Sequence, residues 1–168
     1  MAIHLIIGAM AGDGNKDLNI YSYNCIHADN VRLPFLRELY ESCDFLLVQE
    51  HALFKNKLSW FGALGPDVGI HGVSAMDDSK PLNGRPFGGA AVLWHESLDG
   101  RIIPVPWQSD CMCAVKYING NNVCLLIICV YMPCDDWRHD GNVIEYCNIL
   151  NEISILISSV DADCLYWW

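Results

Sequence analysis

The sequence predicts an α/β layered domain with a mixed sheet, and three observations carry that prediction. A short, unbroken apolar run, Phe45–Val48, reads as a strand covered on both faces. Apolar residues spaced by three and four through Asn142–Val160 read as an amphipathic helix. Between them lie several strand-like stretches, two of them joined by Asn119-Gly120, the strongest local turn signal in the chain.

The elements follow in order. Leu18–Asn24, LNIYSYN, is rich in β-formers and partly alternating, so it reads as a strand. In Val31–Ser42, Pro34 suits a first helical turn, and Phe35, Leu36, Leu39 and Tyr40 fall at helical spacing. FLLVQE, Phe45–Glu50, is the buried strand, and Ala52–Leu64 is open between a short helix and a loop. DVGIHGVSA, Asp67–Ala75, reads as a strand, and DDSKPLNGRP, Asp77–Pro86, as a loop by its Pro, Gly, Asn and charge. FGGAAVLWH, Phe87–His95, passes two glycines into a strand, and RIIPVPW, Arg101–Trp107, is an edge-like strand because of its prolines. CMCAVKYI, then NGNN, then VCLLIICVYM read as a hairpin whose second arm is a central strand. That arm is about half the length a membrane helix needs. The helix that follows presents Val143, Ile144, Cys147, Leu150, Ile153, Ile157 and Val160 as its apolar positions, and DADCLYWW begins one more strand.

A chain of 168 residues suits one domain, and 52% hydrophobic against 18% charged residues can build a sizeable core. The net charge of -10 argues against a basic binder that tracks phosphates and against adhesion to anionic lipid. It leaves a phosphate substrate open, because a divalent cation held by carboxylates reverses the local sign. Nine cysteines without a CxxC pair, the closest being Cys111-Met-Cys113, do not make a zinc site. Cys124 and Cys129 read as small core hydrophobes, and the expected compartment is reducing: nuclear or cytoplasmic, not secreted. Residues 1–17 lack the basic start of a signal peptide and are read as an N-terminal extension.

Three polar groups close strands: Asn24, Glu50 and Tyr131. Strand ends on one edge of an α/β sheet are where sites are built. An Asn can hold a phosphate oxygen or orient a water, a Glu can ligate magnesium, and a Tyr hydroxyl can donate to phosphate. Together they suggest metal-assisted phosphoryl transfer. Each also has a plainer reading: Asn24 as a turn cap, Glu50 as a solvated carboxylate, Tyr131 as an aromatic strand exit.

In sequence order, YSYN, LLVQEH and VYMP resemble the endonuclease/exonuclease/phosphatase superfamily. The segments HGVSAMD, GRPFGGAAVLW and VYMPCD are most similar to the endonuclease domains of LINE-type (non-LTR) retrotransposons. The resemblance spans Leu18 to the C-terminus and implies a layered β-sandwich flanked by helices. It implies a DNA endonuclease that uses Mg2+ (or Mn2+), with Glu50 and Asn24 at the metal, and Asn24 and Tyr131 at the water or scissile phosphate. Arg85, in NGRPFGG, could reach a phosphate or stay on the surface. His51, next to Glu50, supports the site from behind or faces water. DNA is the implied partner, bound weakly given the acidic charge, with no membrane contact.

The family continues with a Gly-Asp-x-Asn motif and an Asp-His pair, neither of which this chain contains. The resemblance therefore implies a C-terminally truncated fold, an incomplete domain over 18–168. It leaves two alternatives beside the endonuclease: a catalytically incomplete remnant, or a phosphatase of the same superfamily. A missing sheet half would expose Trp167, Trp168 and the VCLLIICV strand, at a cost on the order of ten kcal/mol.

Overall fold

Two mixed sheets stack face to face, with helical segments on both outer sides. They are seen in a computed structural model that describes residues 2–7, 18–120, 124–133, 140–160 and 163–165. The first sheet runs in the order β1 (Ala2–Ile7), β2 (Leu18–Asn24), β3 (Phe45–Gln49), β5 (Ala90–His95), β4 (Val68–Val73). The second runs β6 (Ile102–Val105), β7 (Met112–Ile118), β8 (Cys124–Val130), β9 (Asp163–Leu165). The β2–β3 and β8–β9 pairs are parallel and the others antiparallel. Helix α1 (Leu33–Glu41) and a 3-10 segment, Lys55–Leu64, cover the first sheet, and α2 (Asp140–Ser159) covers the second.

Side-chain alternation makes the layers. From β3, Phe45 and Leu47 point between the sheets, against Val92 and Trp94 of β5 and Val115, Ile127 and Cys129 of the second sheet. Leu46 and Val48 point the other way, onto Leu36 and Tyr40 of α1 and onto Phe61 and Leu64. All five residues of β3 are buried, as its unbroken apolar run requires. Pro34 opens α1, and Pro104 lies in β6, an edge strand of its sheet, where the missing amide breaks no ladder. Ala2–Ile7, within the stretch read as an extension, pairs antiparallel with β2 from Ala2 opposite Tyr23 to Ile7 opposite Leu18.

Two sequence expectations need correction. The outer stripe of α2 is out of phase with the sequence reading. Val143, Ile144 and Cys147 are exposed, and the buried line is Ile149, Ile153 and Leu156, with Ile157 and Val160 partly covered. The helix has more apolar residues than one stripe holds, so spacing alone does not phase it. The phase is chosen by Met112, Ala114, Leu126, Ile128 and Val130, which meet its C-terminal half. Leu156→Ala should therefore cost about 2–5 kcal/mol in denaturant unfolding, and Val143→Ala under about 0.5 kcal/mol. Equal costs would sink the assigned phase.

The second correction concerns the expected bare face. Leu126–Val130 are each no more than 2% exposed, because β3 and β5 cover one side of β8 and α2 the other. Trp167 and Trp168 lie outside the described residues. No described helix is long and apolar enough to cross a membrane.

Candidate active site at the strand ends

The first sheet does not stop where its strands do. The Cys25 amide donates to the Gln49 carbonyl and the Ala28 amide to that of His51, both at 2.9 Å. On the other side, the Glu50 amide donates to Gly89 at 3.0 Å and the Ala52 amide to Gly88 at 2.9 Å. Residues 49–52 are thus held between the turn after β2 and the glycines before β5, and Glu50 sits in the middle of the sheet edge.

That edge is where backbone strain concentrates. Glu50, Ala52 and Ile26 have φ of 52°, 54° and 62°, the left-handed region that L side chains avoid. Each such residue costs about 1–2 kcal/mol. Ile26 sits in a tight γ-turn closed by the His27 amide on the Cys25 carbonyl at 2.6 Å. Gly89, at φ 88°, faces the His51 ring so closely that a Cβ there would clash with its Cε1, Nε2 and Nδ1 atoms.

The three strand-end residues come to one end of the sandwich. Asn24 Oδ1 accepts the Ile26 amide at 3.0 Å, which is the turn cap, and among the described residues its Nδ2 is left unpaired. Glu50 is half-buried, and its carboxylate has no hydrogen-bond or ion-pair partner among the described residues. Tyr131 follows β8, anchored by its amide on the Cys111 carbonyl at 2.8 Å. Its ring lies 4.0 Å from where a Gly88 Cβ would stand, which brings the second sheet's strand end to the glycines beside Glu50. Arg85 is exposed on the loop just before these glycines, with no ion pair among the described residues.

His51 is neither at the surface nor at the mouth. It is fully buried, edge-on to Phe61 at 5.8 Å, and both ring nitrogens are used. The Leu53 amide donates to Nδ1 at 3.0 Å, so Nε2 carries the proton and donates to the Val73 carbonyl at 2.9 Å. Burial holds its pKa below the ordinary value of 6.5. Unfolding lets the ring bind a proton that the fold refuses, so stability is full above about pH 6.5 and falls as pH drops below it. The denaturant midpoint should fall between pH 7.5 and 5.5, and less so in His51→Gln; a slope unchanged by that substitution would refute the assignment.

The sequence reading singled out Glu50 and passed over its neighbour. Gln49 is 6% exposed and donates from Nε2 to Ser22 Oγ at 3.0 Å and toward Cys129 Sγ at 3.4 Å. It ties β3 to β2 and across to β8 just beneath the site. Strand parity was the available signal: Phe45, Leu47 and Gln49 share one face. Cys25 is not a nucleophile, since burial pushes its thiol up to about 12.

The donors fit a hard divalent cation in kind. Glu50 offers an unpaired carboxylate, and Asn24 Oδ1 keeps a lone pair beyond the one the Ile26 amide uses. No group of three His, Cys, Asp or Glu side chains converges among the described residues. Magnesium commonly binds through one or two carboxylates, completing its shell with water and substrate oxygens.

No family model and no curated protein matches the chain. Solved structures match its fold. It is similar to a mannosyl-6-phosphatase from Bacteroides thetaiotaomicron, with TM-score 0.58, 16% identity, and coverage of 89% of this chain and 63% of that one. It is also similar to an AP endonuclease from Archaeoglobus fulgidus, with TM-score 0.55, 15% identity, and coverage of 89% and 55%. The 3′ phosphatase NExo from Neisseria, bound to product DNA hairpin, matches with TM-score 0.51, 16% identity, and coverage of 84% and 53%. The chain therefore spans less than two thirds of each, and the likeness establishes an endonuclease/exonuclease/phosphatase fold.

Proposed function

We propose that this chain is a divalent-metal-dependent phosphodiesterase domain that acts on DNA, of the kind found as the endonuclease of LINE-type retrotransposons. The observation that carries the reading is the Glu50 carboxylate, without a partner among the described residues and strained into place at the junction of two sheet ends. The motif resemblance supplies the retrotransposon part. The AP endonuclease and the DNA-bound 3′ phosphatase that share the fold support a nucleic-acid substrate.

A bound magnesium ion would supply positive charge at the phosphate and a more acidic water. Glu50 would hold it, with the remaining lone pair of Asn24 Oδ1 as a second donor. Asn24, its Oδ1 turned to the Ile26 amide, presents Nδ2 as a donor to a phosphate oxygen or to the attacking water. Tyr131, whose ring approaches Gly88, would donate its hydroxyl to the same phosphate. His51 would not exchange protons with substrate, because both its nitrogens are bonded inside the protein.

The test is conversion of supercoiled plasmid to open circle by the purified chain with magnesium, with chelator as control and a soluble phosphomonoester in parallel. Magnesium-dependent nicking supports the reading. Phosphomonoester hydrolysis without nicking would move the chain to the phosphatases, toward which the mannosyl-6-phosphatase likeness points. Neither activity would leave a catalytically incomplete domain, a reading favoured by Glu50 being the single strand-end carboxylate in the described site.

A further inference from the structure

Two large apolar side chains stand exposed on the same sheet edge, one on each side of Glu50. Ile26 is 59% and Phe87 56% exposed. Ile26 lies between Cys25 and Ala28, whose amides bond the Gln49 and His51 carbonyls. Phe87 directly precedes Gly88, whose carbonyl takes the Ala52 amide. With neighbouring strands about 5 Å apart, the two backbones are about 10 Å apart across Glu50.

The flanks hold these side chains out. Ile26 is a β-branched residue kept at φ 62°, a conformation it adopts only under constraint. Phe87 is set between Pro86 and Gly88 in a loop that turns at Gly84, φ 104°, and Gly88, φ 63°. Its neighbour Arg85 is exposed without an ion-pair partner among the described residues. An exposed aromatic two residues from an exposed arginine with no ion pair among the described residues suits a nucleotide: ring against base, cation against phosphate. The charge balance points the same way. With 10 Lys and Arg against 20 Asp and Glu in the whole chain, phosphate neutralisation has few cations to draw on, and uncharged base contacts would supplement it.

We propose that Phe87 stacks on an unpaired base next to the phosphate held at Glu50, with Ile26 bounding the opposite side, and that this selects single-stranded or locally opened nucleic acid over small phosphate esters. The proposal rests on the phosphodiesterase reading for the position of the phosphate, yet base stacking is measurable without catalysis.

The experiment is fluorescence anisotropy of the full chain in chelator with two probes: a labelled oligothymidylate, and an oligomer of the same length built of abasic sugar-phosphate. The wild type should prefer the base-bearing probe about tenfold, the lower part of the range for one base on one aromatic ring. Phe87→Ala should reduce the preference to about twofold or less, Phe87→Trp should keep it, and Arg85→Ala should weaken both probes alike. Equal affinity for the two probes, no measurable binding of either, or a preference untouched by Phe87→Ala would each overturn the proposal. A Phe87-dependent preference in a chain that nicks nothing would sink the catalytic reading and leave this one standing. Nicking without that preference would do the reverse.

Discussion

Glu50→Gln should lower the proposed magnesium-dependent nicking by about 100- to 1,000-fold, the range for removing one preorganised charge-stabilising group, and should change unfolding free energy by less than about 0.5 kcal/mol. The amide keeps the shape and loses the charge. Because the carboxylate has no internal partner among the described residues, its loss should cost the fold little. A carboxylate that served stability would show the opposite pattern. Glu50→Gly sharpens the separation. Glycine adopts φ 52° without strain, so this variant should be as inactive as Glu50→Gln yet more stable by about 1 kcal/mol. Nicking retained by Glu50→Gln, or a large loss of stability with it, would remove Glu50 from the metal.

Gly89→Ala should carry the largest stability loss of any single methyl addition at this edge, about 3 kcal/mol or more. Its φ of 88° costs an L residue about 1–2 kcal/mol. The new methyl would clash with the His51 ring, which is fully buried and held by two hydrogen bonds. Displacing the ring forfeits about 1 kcal/mol for each bond. The clash also fixes a coupling: His51→Ala empties that space, so the double variant should lose less than the sum of the two single losses. Strict additivity in chemical denaturation would mean that the ring and the glycine do not meet.

Where the fold was legible, the residues left little choice. An apolar run of strand length, Phe45–Val48, can only be a strand covered on both faces, and it is. Pro34 and the spacing of Leu36 and Tyr40 fixed α1 and the side it buries. Helix α2 was legible as a helix but not in phase, because Val143, Ile144 and Ile155 compete with Ile149, Ile153 and Leu156 for the core. The strand Ala2–Ile7 was missed because its run stops short before a glycine-containing stretch that looks like a loose terminus. At the candidate site, the position of Asn24, Glu50 and Tyr131 at strand ends was legible because each closes a strand, while their roles remain the proposal made above. For His51 the sequence left a supporting place and the surface both open, because the physics that buries it is non-local: the Val73 carbonyl and the missing Cβ of Gly89 make its niche.

The Gln49-Glu50 pair has a consequence for how β3 finds its place. A slip of one residue along the ladder would turn Gln49 out to the helical side and bring Glu50 between the sheets. Glutamine between the sheets finds Ser22 and Cys129, whereas a carboxylate there would be stripped of water with no cation to meet it. The order amide first, carboxylate second therefore marks the correct register and penalises its nearest competitor. The carboxylate proposed to serve at the edge thus also disfavours the misthreading of β3 as the sheet assembles.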